Sequence, residues 1–138
     1  MKIAQLGTDS VLLTPIAAAT TARTASLDCA GANYVSIRVP IGVEANTNST
    51  NVSITLAEGD DTNTYTTFNA AANRTVDNTA ATVATTHIDM EGRKRYLKLT
   101  LTPDTTTNGA VTSSAVATLY KNVISASATM LGPDVQVV

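Results

Sequence analysis

The chain has 138 residues, which fits a single domain, and its formal net charge of −2 argues against nucleic acid as the main partner. Apolar residues make up 43% of the sequence, but one Phe, four Tyr and no Trp leave the core to be built from small side chains. A single cysteine excludes an internal disulfide, and no stretch is apolar over the length that a membrane helix needs, so we expect no membrane partner.

The first predicted elements are an extended arm and two strands. Residues 1–22 mix a few apolar side chains with turn formers and alanines, which predicts an arm containing one short strand. Apolar and polar residues then alternate from Ala25 to Cys29, and we interpret Cys29 as a small buried hydrophobe. They alternate again over 34–41. Pro40 cannot donate a ladder hydrogen bond, so we expect that end of the strand at a sheet edge or beyond the paired region.

The middle of the chain predicts a hairpin followed by weaker structure. Residues 46–51 are polar turn formers, and the alternation over 52–56 leads through the acidic stretch 58–63 to a second short strand at 65–68. This spacing predicts a β-hairpin with a long polar turn. Between residues 69 and 86 the apolar side chains are mainly alanines, which predicts a weak strand or a surface excursion.

The last third of the chain contains the clearest strand. Three leucines stand at every second position within 93–102, with polar residues between them, as in a half-buried strand. A further strand is predicted over 115–121. The remainder contains a Gly-Pro turn and is interpreted as a second extended arm.

Short alternating segments at intervals of about ten residues, without the spacing of an amphipathic helix, indicate an all-β fold. We predict one domain, an antiparallel β-sandwich or jelly-roll-like barrel with extended N- and C-terminal arms. The body spans 23–121, the N-terminal arm 1–22 and the C-terminal arm 122–138.

Residues that could carry chemistry are sparse. His87 is the single histidine and no nucleophile motif accompanies it, so we interpret it as a surface or strand-end residue and expect no enzyme. The carboxylates of 58–63 could approach a calcium ion if the loop folded around one. They lack the spacing of the helix-loop-helix calcium motif, however, and acidic turn residues are usually solvated, so we expect no metal and no cofactor.

One short basic cluster, residues 93–95, precedes the clearest strand. Its three charges could hold phosphates. They are as well placed to pair with Asp28, Asp60 or a neighbouring subunit, and we favour pairing over nucleic acid.

Four stretches, in this order, carry a resemblance to a known family: ASLDCAGANYVSIRV at 25–39, LAEGDDTNTYT at 56–66, GRKRYLKL at 92–99 and AVATL at 115–119. Over residues 20 to 125 the chain resembles the small capsid decoration, or cement, proteins of tailed bacteriophages. The resemblance implies a β-rich body, often a homotrimer, that sits on the capsid exterior of the virion and bridges neighbouring major capsid proteins. It implies synthesis in the bacterial cytoplasm, and no individual contact residue carries over.

The two arms are the expected contact regions, because apolar arms without a core of their own can bury side chains only on another surface. The contact residues that we predict are Ile3, Leu6, Leu12, Leu13, Val135 and Val137. Two alternatives stay open. A carbohydrate-binding or adhesin-like sandwich of a phage fibre or cell surface would need exposed aromatic rings, such as Tyr65 and Tyr96 together on one face. A head-completion or tail-tube subunit would assemble into rings.

Overall fold

The computed structural model describes residues 7–18, 21–42, 51–68, 73–77, 80–104, 110–121 and 135–137. These residues contain ten strands and no helix, and hence no helix that could cross a membrane. The strands are β1 (Gly7–Ala18), β2 (Arg23–Asp28), β3 (Tyr34–Ile41), β4 (Asn51–Gly59), β5 (Thr66–Thr67), β6 (Arg74–Asp77), β7 (Thr82–Asp89), β8 (Tyr96–Asp104), β9 (Val111–Tyr120) and β10 (Val135–Val137).

The strands form two sheets that enclose one core, which confirms the predicted all-β sandwich. Sheet A has the order β1-β9-β3-β7-β10. Sheet B has the order β2-β8-β4-β5, and β6 pairs with β4 beside β5. Neighbouring strands are antiparallel, except that β10 runs parallel to β7.

The core consists of the inward side chains of both sheets. The alternation predicted for β3, β4 and β8 is confirmed, because every second residue of these strands is buried. Sheet A adds small inward residues from β7 and β9, among them Ala84, Ala115 and Ala117. The single Phe, Phe68, is also buried in the core, and Cys29 is 3% exposed, as its interpretation as a small hydrophobe requires.

The segment predicted as an N-terminal arm with one short strand instead contributes a 12-residue edge strand, β1. It pairs with β9 from Gly7, opposite Tyr120, to Ala18, opposite Val111. The register shifts on either side of Leu13, and such bulges break the period-two pattern that would reveal a strand in sequence. Residues 1–6 and 19–20 lie outside the described part of the chain.

At the opposite edge of sheet A, three residues of the predicted C-terminal arm form β10. Val135 lies opposite Thr85 and Val137 lies opposite His87 in a parallel ladder with β7. Most of that arm, residues 122–134 and 138, lies outside the described residues.

Two other expectations from the sequence were met only in part. β7 is an interior strand of sheet A, whereas its sequence predicted a weak strand or a surface excursion. Its inward positions are Ala84, Thr86 and Ile88, so small and polar side chains hide the alternation. Pro40 also lies in an interior strand, β3, and the ladder between β3 and β9 has no partner at residues 39 and 40, which accommodates the missing N–H.

Because Leu99 is 1% exposed in the middle of β8, removing its side chain should leave a cavity between the sheets. We expect Leu99→Ala to lower the free energy of unfolding by about 2–5 kcal/mol. Thr24→Ala, on the exposed face of β2, is the matched control and should change stability by less than about 1 kcal/mol. Urea denaturation followed by circular dichroism measures both, and equal effects would contradict this account of the core.

Candidate functional site

The predicted contact residues occupy different environments. Leu13 is 9% exposed and belongs to the core, and Leu12 is half-buried and packs against the core. Val135 and Val137 lie in β10, whereas Ile3 and Leu6 are outside the described residues. The two predicted contact residues that lie in β1, Leu12 and Leu13, are therefore turned largely toward the core.

The exposed apolar side chains of β1 are two others, Val11 at 65% and Ile16 at 51% exposure. β1 is the first strand of sheet A and has a hydrogen-bonded neighbour, β9, on one side. The Arg23 guanidinium of β2 donates to the Thr14 carbonyl of β1 at 2.5 Å and to the Ser113 carbonyl of β9 at 2.9 Å. Sequence reasoning missed Val11 and Ile16, because the bulges decide which residues of β1 face outward.

The basic cluster pairs with carboxylates of the same chain, as predicted for Asp28 and Asp60. Arg95 donates to both carboxylate oxygens of Asp28, at 2.8 and 2.6 Å, and Lys94 lies 2.9 Å from Asp60. The hydrogen bond from Arg95 lowers the pKa of Asp28 to about 2, with a second hydrogen bond from the Ala30 amide assisting. Each of these two cations thus faces a carboxylate of its own chain, which partly neutralises its charge.

The acidic stretch 58–63 stabilises its own turn. Asp61 Oδ1 accepts the amide N–H groups of Asn63 and Thr64, which lowers the pKa of Asp61. Glu58 accepts the Lys94 amide at 3.3 Å and lies 3.8 Å from Arg93. Within the ranges that the structure covers, three or more side chains suited to a metal ion do not come together anywhere.

Tyr65 and Tyr96 lie on the outer face of sheet B. Tyr65 donates its hydroxyl to Ser26 at 2.9 Å, and Lys98 lies 5.3 Å from the centre of its ring. Arg95 lies 4.9 Å from the centre of the Tyr96 ring. Both rings are half-buried, so cations of this chain already occupy part of the aromatic surface that a sugar would need.

A polar cavity of about 470 Å³ lies on the outer face of sheet A. Four of its side chains form a row across adjacent strands, in the order Asp9, Thr118, Ser36 and His87. The Thr118 hydroxyl donates to Asp9 at 2.5 Å. The cavity is lined by Gly7, Asp9, Ser36, Arg38, Thr85, His87, Thr118 and Tyr120.

His87 lies inside β7, not at the strand end or on the open surface. Its ring centre is 5.5 Å from that of Tyr34, and burial lowers its pKa, so the imidazole is neutral at pH 7. Burial also raises the pKa of Tyr34. Nδ1 of His87 is buried and has no hydrogen-bond partner among the described residues.

The row does not assemble a nucleophile with an oriented base. Asp9 and His87 are separated by three strand spacings, or roughly 14 Å, and Asp9 bonds Thr118 instead. A catalytic triad requires a third group that bonds the base, and Nδ1 of His87 lacks such a partner in the described part of the chain.

An apolar groove of about 620 Å³ lies where β3 meets β7 and β9. Val83, at 47% exposure, and Pro40 form its outward side. The Ser113 hydroxyl, also in its lining, is buried without a hydrogen-bond partner among the described residues.

The half-buried position of His87 predicts a pH-dependent stability. Because its pKa in the folded state lies below the unfolded value near 6.5, the unfolded chain binds more protons, and the free energy of unfolding should fall as the pH drops from 7 to 5. His87→Gln should flatten this dependence. The control Asp28→Asn should keep the wild-type slope, because that carboxyl titrates at lower pH. Urea denaturation at each pH measures the slopes, and an unchanged slope in H87Q contradicts the prediction.

The Asp28–Arg95 pair predicts a second, more acidic window. The Asp28 pKa is about 2 in the folded state, against an ordinary value of 3.8, so the stability that the pair contributes is present above pH 4 and is lost between pH 4 and 2. Asp28→Asn should therefore lose less stability than the wild type over this interval. Thermal unfolding at pH 4, 3 and 2 tests this expectation, and parallel losses in the two proteins would refute it.

Comparison with known proteins adds no identification. No protein-family model matches the chain, and no curated protein is significantly similar to it. The function must therefore be inferred from the surfaces and cavities described above.

Proposed function

We propose that this chain is a structural virion protein that decorates a tailed-phage capsid and stabilises it by bridging neighbouring major capsid proteins. Its place is the capsid exterior, and its partners are the major capsid protein and further copies of itself, in a trimer. It is supported by the resemblance of residues 20 to 125 to the capsid decoration proteins of tailed phages.

The observation that supports it best is the exposed edge strand β1. Twelve residues long, β1 pairs with β9 on one side and presents Val11 and Ile16 to the surroundings. An edge strand can add to a strand or arm of another protein, with main-chain hydrogen bonds supplying affinity and side chains supplying specificity. The two bulges and Pro15 limit indiscriminate edge-to-edge pairing, as is usual for edges that must not aggregate.

The mechanism is mechanical. Packaged DNA pushes capsid subunits apart, and a protein bound across their junction adds an interface that must be lost before they separate. A specific interface typically buries about 1,600 Å². The same contact recurs at every equivalent position of the symmetric shell, so the stabilisation adds up over many copies without a new type of contact.

Co-sedimentation with expanded heads of the encoding phage tests the proposal. Wild-type chain should pellet with heads at micromolar concentration, and Val11→Asp with Ile16→Asp should weaken the apparent affinity by at least about tenfold, because both substitutions place a charge in the contact. Substitution is preferable to deletion of residues 1–20, since β1 is also a paired strand of sheet A.

The matched control is Val83→Asp, which places the same charge on an exposed valine in β7, away from β1. It should bind heads like the wild type, and circular dichroism verifies that all variants fold. Failure of folded wild-type chain to sediment with heads would overturn the proposal. Equal binding by the β1 variant and V83D would exclude β1 as the contact.

A further inference from the structure

We propose that the polar cavity on the outer face of sheet A is a binding site for a neutral carbohydrate. This activity would be additional to capsid binding, and part of the cavity, including Arg38, lies on β3, which β9 separates from the proposed contact strand β1. The volume of about 470 Å³ lies within the range of small-ligand sites and suits one or two sugar rings.

The hydrogen-bonding groups of the cavity complement sugar hydroxyls, which both donate and accept. Asp9 supplies a carboxylate acceptor. Among the described contacts, this carboxylate accepts one hydrogen bond from the chain, from the Thr118 hydroxyl. Arg38 supplies guanidinium donors and is exposed at the centre of the face. Ser36 lies on β3 in the same row as Asp9, and Thr85 lies opposite Arg38 on β7; the hydroxyl groups of both can donate or accept.

One wall of the cavity is aromatic. Tyr120 lines it and packs on Tyr34, with ring centres 5.9 Å apart, and Tyr34 packs in turn on His87. Tyr120 leans over Gly7, where an added Cβ would lie 2.9 Å from the Tyr120 ring and 2.6 Å from Thr118. The glycine thus lets the tyrosine close over β1, and the part of its half-buried ring that lines the cavity adds an apolar surface to it.

Charge balance selects a neutral ligand over an anion or a cation. The cavity holds one carboxylate, Asp9, and one guanidinium, Arg38. His87 is neutral at pH 7 and adds no positive charge. The two opposite charges leave no net charge to attract an anion or a cation, whereas the hydroxyl groups of a neutral ligand can donate to Asp9 and accept from Arg38.

This inference can be tested by probing an array of immobilised neutral and acidic glycans with the full chain. The glycan that binds most strongly is then titrated into ¹⁵N-labelled protein and followed by NMR. We expect binding to neutral glycans and amide shifts centred on β9, β3 and β7. Asp9→Ala and Arg38→Ala should each weaken binding by at least about tenfold. The first substitution removes the carboxylate that accepts hydrogen bonds from the ligand, and the second removes the guanidinium that donates them.

Lys98→Ala, on the outer face of sheet B beside Tyr65, is the matched control and should bind like the wild type. Three results would overturn the inference: no glycan binding, binding to acidic glycans alone, or binding that persists in both D9A and R38A. Shifts centred on Tyr65 and Tyr96 would do so as well. Co-sedimentation of R38A with heads should be unchanged, because Arg38 lies on β3 and not on the proposed contact strand β1, so failure here is distinguishable from failure of capsid binding.

Discussion

Burial of small aliphatic side chains between two sheets is the constraint on which the rest of this structure depends. Leu, Ile and Val at every second position of β3, β4 and β8 form the inner layer, and alanines from β7 and β9 fill the facing positions. With one Phe and no Trp, the core gains its free energy from many small contacts. Each strand must then keep its register, because a slip of one residue would expose the whole inward set.

The edges and ends of the sandwich are held by polar contacts instead. Arg23 joins β2 to carbonyl groups of β1 and β9, and so links the two sheets at one side. At one end, the pairs Arg95–Asp28 and Lys94–Asp60 tie the turn before β8 to β2 and to the hairpin after β4. These exposed pairs position loops rather than provide most of the stability, since surface ion pairs contribute little each.

The outer face of sheet A differs from that of sheet B. In sheet B the tyrosines are covered in part by Lys98 and Arg95 and bonded within the chain. In sheet A a carboxylate, a guanidinium and a neutral imidazole share one concave surface next to the exposed strand β1. Both proposals rest on this side of the molecule, and they use different groups: backbone and aliphatic side chains of the edge, and polar side chains of the face.

The sequence by itself determined the all-β class, the inward faces of β3, β4 and β8 and the buried thiol of Cys29. These features follow from period-two alternation, which a sequence displays directly. For the basic cluster the sequence offered Asp28 and Asp60 as two of several partners, and only the fold brings Arg95 to Asp28 across 67 positions of the chain. Only the tertiary structure decided that residues 7–18 form an edge strand, that β7 is interior, and that Asp9, Ser36 and His87 share a row. Such facts depend on strand order and on bulges, and neither is encoded in the spacing of residues along one strand.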